Sequence, residues 1–247
     1  MNVFILYAHP EPEQSFHAAL LATSVATLKA QGHTVRVSDL YAMNFNPVAA
    51  ATDFDQRRFP ERLQYDREQK FAASNGGLAA DIQAEIEKVL WCDLLIVQFP
   101  LYWFSMPAIM KGWFDRVFVN GLIYGAGMRF DDGGLKGKKA MVCTSTGGFE
   151  HMFKSDGLMG HIDAVLWPIH QGVFGYSGLQ SLPPFVAWAP VYGGQATCDK
   201  HLEDYQHHLQ NIDNLSPLPM HPQSDFDDNY QMKAGVVPTT IGHKYQP

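Results

Sequence analysis

Leu94-Leu95-Ile96-Val97-Gln98-Phe99 runs directly into Pro100-Leu101-Tyr102-Trp103-Phe104-Ser105-Met106-Pro107, and the change of character between these halves decides the fold. The first half is almost continuously apolar. A strand wetted on one face alternates in polarity, whereas a strand covered on both faces does not, and central parallel strands are covered on both. The second half sets three aromatic side chains side by side just past the strand's end. They cannot all face one core. Either a flat apolar ligand lies against them, or they form a local core cluster or a subunit contact.

Working outward, the same alternation of strand and helix signals recurs. Val3-Phe4-Ile5-Leu6-Tyr7 is a second continuous apolar run, and Ser15 is positioned to cap a helix ending near Gln31 and Gly32. Thr34-Val35-Arg36-Val37 reads as a strand. Residues 40–75 have no clear period and read as one long loop. Leu78, Ile82, Ile86, Val89 and Leu90 follow at helical spacing. Pro107 opens a helix carrying Met110, Trp113, Phe114 and Val117. Ala140–Thr144 is a strand, 156–166 is helical, 172–180 is read as a fifth strand, and 198–212 as the last helix. This order predicts an α/β fold, a doubly wound five-stranded parallel sheet over residues 1–215, with an irregular C-terminal arm over 216–247.

Ligands of such sheets bind beyond the carboxyl ends of the strands, where strand order reverses. That brings together the loops after the first, third and fourth strands. The first offers His9, Ser15, Phe16 and His17 and no G-x-G-x-x-G. An imidazole, a hydroxyl and the free N–H groups of a helix start suit a pyrophosphate. Equally, Ser15 is only a cap and His9 an ordinary loop histidine. The second loop offers Pro100, Leu101, Tyr102, Trp103 and Phe104. The third reads Thr144-Ser145-Thr146-Gly147-Gly148-Phe149. Its paired glycines allow close backbone approach, and their N–H groups are donors for a developing negative charge; the cluster also reads as a plain turn.

Composition excludes several classes. Of 247 residues, 46% are hydrophobic, which rules out wholesale disorder. Charged residues are 17% and aromatics 13%, a balance expected when a cofactor or another subunit covers surface, or in a well-packed globule with some exposed rings. The net charge of −7 and the lack of a basic run argue against nucleic acid as a partner. No apolar stretch approaches the length of a membrane span. Cys92, Cys143 and Cys198 are isolated, as expected of free thiols in the cytoplasm. There is no G-x-S-x-G, H-E-x-x-H or P-loop. His201, His207 and His208 lack i, i+4 spacing, and no metal is expected.

With these loops in view, the chain resembles the NAD(P)H dehydrogenase (quinone), or DT-diaphorase-like, flavoproteins. The resemblance covers about residues 1–215 and rests on Asp39-Leu40-Tyr41-Ala42-Met43-Asn44-Phe45-Asn46-Pro47, on Gln98 to Phe104, on Pro107 to Phe118, and on Leu166-Trp167-Pro168-Ile169. It implies a flavodoxin-like fold, bound FAD in preference to FMN, NAD(P)H as co-substrate, ping-pong hydride transfer to a quinone-like acceptor, and a homodimer with active sites at the interface. Carried across, the flavin contacts are His9, Phe16, His17, Gln64, Leu101, Tyr102, Trp103, Phe104, Ser145, Thr146, Gly147 and Gly148. Ser15, Pro100 and Phe153 adjoin them as further cofactor-side candidates.

The departures from the family pattern are specific. His17 stands where an asparagine is typical. Trp103 and Phe104 would line the nicotinamide and quinone slot, with Tyr124 and Met128 from the partner; Ala126 replaces a second capping tyrosine, so the slot should be wider. The family's tyrosine and histidine beside the flavin pyrimidine fall on Phe153 and Met159, neither of which can hold a proton there. The catalytic candidates are therefore the Gly147 and Gly148 amides and His161, two residues beyond the expected place, with His151 nearby as the alternative to His161. Rival readings are an FMN-dependent azo- or nitro-reductase, a flavin-binding redox regulatory subunit, and a flavodoxin-type electron carrier.

Overall fold

The computed structural model describes residues 1–11 and 13–244. Its strands are β1 (Asn2–Tyr7), β2 (Thr34–Asp39), β3 (Leu94–Pro100), β4 (Lys139–Thr146), β5 (Gln180–Ser181) and β6 (Phe185–Trp188). They pair in parallel in the order β2-β1-β3-β4-β5, with β6 also on β4. β5 joins the start of β4 at Lys139 and Ala140, and β6 joins its end from Cys143 to Thr146. They are thus one edge position interrupted by Pro183 and Pro184, which have no N–H to give the ladder. The strand order reverses between β1 and β3, which sets the switch point at their carboxyl ends.

Helices cover both faces. On one lie α1 (Phe16–Ala30) and α6 (Gly194–Gln210), with Leu20, Leu28, Tyr205 and Leu209 packed on Val3, Ile5 and Ile96. On the other lie α2 (Tyr65–Asn75), α3 (Ala80–Trp91), α4 (Ala108–Val117) and α5 (Ile162–Trp167), with Ile82, Met110, Trp113 and Leu166 packed on Phe4, Leu6 and Val97. Every residue of β3 is buried, as its unbroken apolar run predicts. No helix among the described residues is long and apolar enough to cross a membrane.

Three readings of the sequence are corrected, the first being the helix over 156–166, which begins only at Ile162. Residues 40–75 are not one loop, because α2 occupies 65–75. Its inward face is Glu68, Gln69 and Ala72, so a helix anchored by polar groups left no apolar period to read. The Glu68 carboxylate accepts from the amides of Arg58 and Phe59, and the Gln69 amide donates to the Asp115 carbonyl. Nor is 172–180 a strand. Pro168–Gly175 continues α5 as a π-helix, and only Gln180 and Ser181 join the sheet. A short apolar run such as Val173-Phe174 fits a buried helix as well as a strand.

Two of the quoted motifs meet behind the sheet. A Cβ on Gly112 would sit 2.1 Å from the Pro47 carbonyl oxygen, so only glycine lets α4 pack on that segment. Beside it the Arg116 guanidinium donates to Asp53 at 2.8 Å, to Asp81 at 2.7 Å and to the Asn46 carbonyl at 2.9 Å. Beyond the last helix the chain carries a 3-10 turn at Gln223–Asp225 and a bridge between Phe226 and Met232, and the Leu218 amide donates to the Ser181 carbonyl.

Candidate active site

The β1 loop is fixed by the start of α1. Ser15 is the N-cap, its hydroxyl accepting from the Ala18 amide at 3.1 Å. The Gln98 side chain of β3 donates to the His17 carbonyl at 2.8 Å and ties this helix start to the central strand. The His17 imidazole is 3% exposed, and its Nε2 lies 2.7 Å from Ser145 Oγ on β4. It stacks on His9, ring centroids 5.6 Å apart and planes 18° apart. Burial first, and the neighbouring His9 second, hold its pKa down to about 3. Among the described residues its buried Nδ1 has no hydrogen-bond partner.

The β3 loop is strained. The Tyr102 amide donates to the Ser105 carbonyl at 2.9 Å and the Ser105 amide returns to Tyr102 at 3.0 Å, closing a tight turn. Its two central residues are Trp103 at φ 49° and Phe104 at φ 61°. Such turns normally take Gly, Asn or Asp, and each bulky residue held there costs about 1–3 kcal/mol. The Trp103 side chain, 96% exposed, gains almost no packing in return. The Leu101 amide donates to the Ser145 carbonyl at 2.9 Å, which locks this turn to the β4 loop.

The β4 loop supplies the donors. Thr146 Oγ1 donates to the Gly148 carbonyl at 2.8 Å, and among the described residues neither the Gly147 nor the Gly148 amide donates within the chain. A Cβ on Gly147 would meet open space, whereas one on Gly148 would come 3.1 Å from the Phe153 ring. Leu101, Trp103, Phe104, Gly147, Gly148, Phe153 and Met159 share a cavity of about 380 Å³ with Phe149, Met152 and Tyr192. The two family departures, Phe153 and Met159, therefore lie in the cavity wall itself.

Sequence reasoning missed Phe149, Met152 and Tyr192 as lining residues. Tyr192 comes from a fourth loop, after β6, where Ala189 takes φ 45° and its amide donates to the Thr146 carbonyl at 3.1 Å. The signal was the aromatic Tyr192 shortly after Phe185-Val186-Ala187-Trp188, and it was lost because the edge strand was read too early. Several expected residues stand apart from this cavity in the single chain. Gln64 is the N-cap position of α2. Tyr124 contacts Tyr176, with centroids 5.9 Å apart, and Ala126 sits in the turn closed between Gly125 and Met128. His161 is the N-cap of α5, its Nδ1 accepting from the Asp163 amide at 3.2 Å, and its side chain is 41% exposed. Among the described residues no cluster of three or more His, Cys, Asp or Glu could hold a metal.

The residues present fit a flavin. An apolar wall of rings and thioethers suits a flat ring system, free glycine amides suit its polar edge, and a helix start with an orphaned buried imidazole nitrogen suits a phosphate.

Residues 1–211 match the family described by its flavodoxin-like fold. The chain is 39% identical over 231 residues to NAD(P)H dehydrogenase (quinone) 1 of Rattus norvegicus, covering 93% of this chain and 84% of that one. It is 39% identical over 219 residues to the human ribosyldihydronicotinamide dehydrogenase (quinone), covering 88% and 94%. A crystal structure of a candidate quinone reductase from Klebsiella pneumoniae superposes with a TM-score of 0.90 at 33% identity, covering 98% of this chain and 99% of that one.

Proposed function

Since this chain belongs to the NAD(P)H dehydrogenase (quinone) family, within the flavodoxin-like fold, we propose that it holds FAD at the loops after β1, β3 and β4 and uses NAD(P)H to reduce a quinone-like acceptor. It is a flavin-dependent oxidoreductase, as its family is. The observation that carries the choice of site is the Trp103–Phe104 turn. Two aromatic residues kept at positive φ with their rings exposed are explained by a flat ligand lying against them.

The roles of the chain's own groups follow from their chemistry. When bound, flavin supplies two-electron exchange between the nicotinamide and the acceptor. Trp103 and Phe104 orient flat reactants over the cavity. The Gly147 and Gly148 amides are fixed donors for developing negative charge, an arrangement worth about 2.7–4 kcal/mol in well-studied sites. Phe153 and Met159 hold no proton, so charge stabilisation falls to the backbone. The β1 loop, with Ser15, Phe16 and His17, receives phosphate. Tyr124, Ala126 and Met128 complete the slot from a partner subunit, and Gln64 is a further flavin contact. Two free buried thiols, Cys92 and Cys143, suit a reducing cytoplasm.

The family that the motifs resemble supports FAD over FMN. Purified protein is expected to be yellow, with one FAD per chain, to oxidise NADPH or NADH in the presence of a quinone, and to sediment as a dimer. Released cofactor of FMN mass overturns the FAD assignment alone. A colourless protein that takes up no added flavin overturns the whole reading, and an active monomer overturns the shared slot. Flavin binding without nicotinamide oxidation would favour the regulatory alternative.

A further inference from the structure

We propose that His17 is a proton-coupled phosphate ligand, taking up one proton as the cofactor's phosphate binds at the start of α1. The proposal rests on the flavin reading above and adds a linkage to it.

The geometry around His17 sets up a specific mismatch. The His17 ring is 3% exposed, and its Nε2 faces a hydroxyl, Ser145 Oγ, at 2.7 Å. Its Nδ1 is buried and has no partner among the described residues. A hydroxyl can donate to an imidazole nitrogen or accept from it, so it tolerates either protonation state. An imidazolium has a donor at each nitrogen. Here Ser145 Oγ would accept from Nε2–H, and the orphaned Nδ1–H would be left for an anion. A phosphate oxygen at the helix start supplies that anion, where the α1 dipole and the first-turn amides already favour one.

The surroundings explain why no proton is held beforehand. Burial opposes the charge first and His9 second, and the pKa lies near 3. From the β1 loop, His9 stacks on the ring, its Nδ1 lying 2.7 Å from the Glu11 carbonyl oxygen and 3.0 Å from the Glu11 amide nitrogen. The Glu11 carboxylate is turned to the Glu13 and Gln14 amides, at 2.9 and 3.1 Å. β1 adds the neutral Tyr7 hydroxyl, β3 the neutral Gln98 amide and β4 the Ser145 hydroxyl. From α6, His201 reaches only the far side of Phe16, 6.3 Å between centroids, and gives its Nε2 to the Trp188 carbonyl. In this set the only carboxylate, Glu11, is engaged by backbone amides, so the bound phosphate is the charge that can reverse the balance. Because His9 and His17 are stacked, one proton at most is taken up, since a second would face a like charge.

The sign follows. Binding raises the His17 pKa above its free value, so affinity strengthens as pH falls through the bound-state pKa and levels off again near 3, the free-state value. The steepest part of that range is about tenfold in Kd per pH unit for one proton. The test uses the full-length chain stripped of cofactor and titrated with FAD by calorimetry in buffers of different ionisation enthalpy. ¹⁵N-histidine NMR of the holoprotein reads the ring directly. Expected are net proton uptake at neutral pH, a doubly protonated His17 in the holoprotein, no uptake in His17→Asn with FAD still bound, and retained uptake in His9→Ala. FAD binding without proton uptake overturns the proposal, because the neutral Nδ1–H tautomer then suffices, and it leaves the flavin reading intact. Loss of uptake in His9→Ala, with His17 neutral by NMR, moves the proton to His9 and also overturns it. Failure to bind any flavin overturns the reading on which it rests.

Discussion

Arg116 and His17 are equally buried, each 3% exposed, and their surroundings differ in kind. Arg116 spends its donors on Asp53, Asp81 and the Asn46 carbonyl, and Tyr65 adds its hydroxyl to Asp53. Among the described residues His17 leaves a buried ring nitrogen unpaired. A buried polar group left unmatched costs stability, so native structures pair nearly all of them. The satisfied region holds the fold's shape. The unsatisfied region borders the loops after β1, β3 and β4, where we propose that the flavin sits.

The comparison breaks most sharply at the satisfied end. Arg116→Ala leaves Asp53 charged and buried without its partner, and such losses cost about 3–5 kcal/mol. Urea denaturation should show a drop of that order, with the slope unchanged. The pair also sets an acid limit. Burial alone would raise the Asp53 carboxyl, but hydrogen bonds from Arg116 and Tyr65 outweigh it and hold it below its ordinary value. A depressed carboxyl contributes stability that is present above the unfolded-state value, near 4, and lost as pH falls through the folded value. Wild type should therefore lose stability progressively below about pH 4. Arg116→Ala should flatten that dependence, and an acid limb as steep as that of wild type would show that other carboxylates set it.

At the unsatisfied end the sign reverses. Trp103→Gly removes a positive-φ strain of about 1–3 kcal/mol, while glycine's chain entropy takes back roughly 0.5–1 kcal/mol. In the flavin-free protein the variant should be more stable by about 1 kcal/mol, and kcat/KM for the quinone should fall at least about tenfold, some 1.4 kcal/mol. A variant that is both less stable and fully active would mean that the turn is packing and not a ligand platform.

How much of this was legible follows the same division. The run Leu94–Phe99 gave its strand directly, because full burial on both faces writes itself as unbroken hydrophobicity. Ser15 as a cap and the grouping of the β1, β3 and β4 loops were also readable from residue type and strand order. The helix α2 was not, since Glu68 and Gln69 turn inward to bind backbone and leave no apolar stripe. Pro183-Pro184 hid the edge strand by splitting it, and with it the loop that carries Tyr192 into the cavity. The role of Arg116 was unreadable because Asp53 and Asp81 lie far from it in sequence. The positive φ of Trp103 and Phe104 runs against residue preference, so it was not legible from residue type.

The smallest expected effect lies where the two regimes touch, at Phe153. Its ring is 5% exposed, 5.5 Å from Trp188 between centroids and close against Gly148. Phe153→Tyr puts a hydroxyl into that wall. Without flavin the hydroxyl has an apolar cavity beside it, and an unpaired buried hydroxyl costs about 1–3 kcal/mol in proteins. With flavin bound it gains an acceptor, so the deficit in thermal midpoint should shrink on adding FAD. If the Gly147 and Gly148 amides carry most of the charge stabilisation, the added donor is a supplement, and stopped-flow bleaching by NADPH should quicken only severalfold, by less than about 1.4 kcal/mol. His161→Ala should change that rate by less still, because its Nδ1 already caps α5 and the ring is 41% exposed. A tenfold or greater loss in His161→Ala, with FAD affinity unchanged, would make His161 the proton-holding partner and return the backbone amides to a minor part.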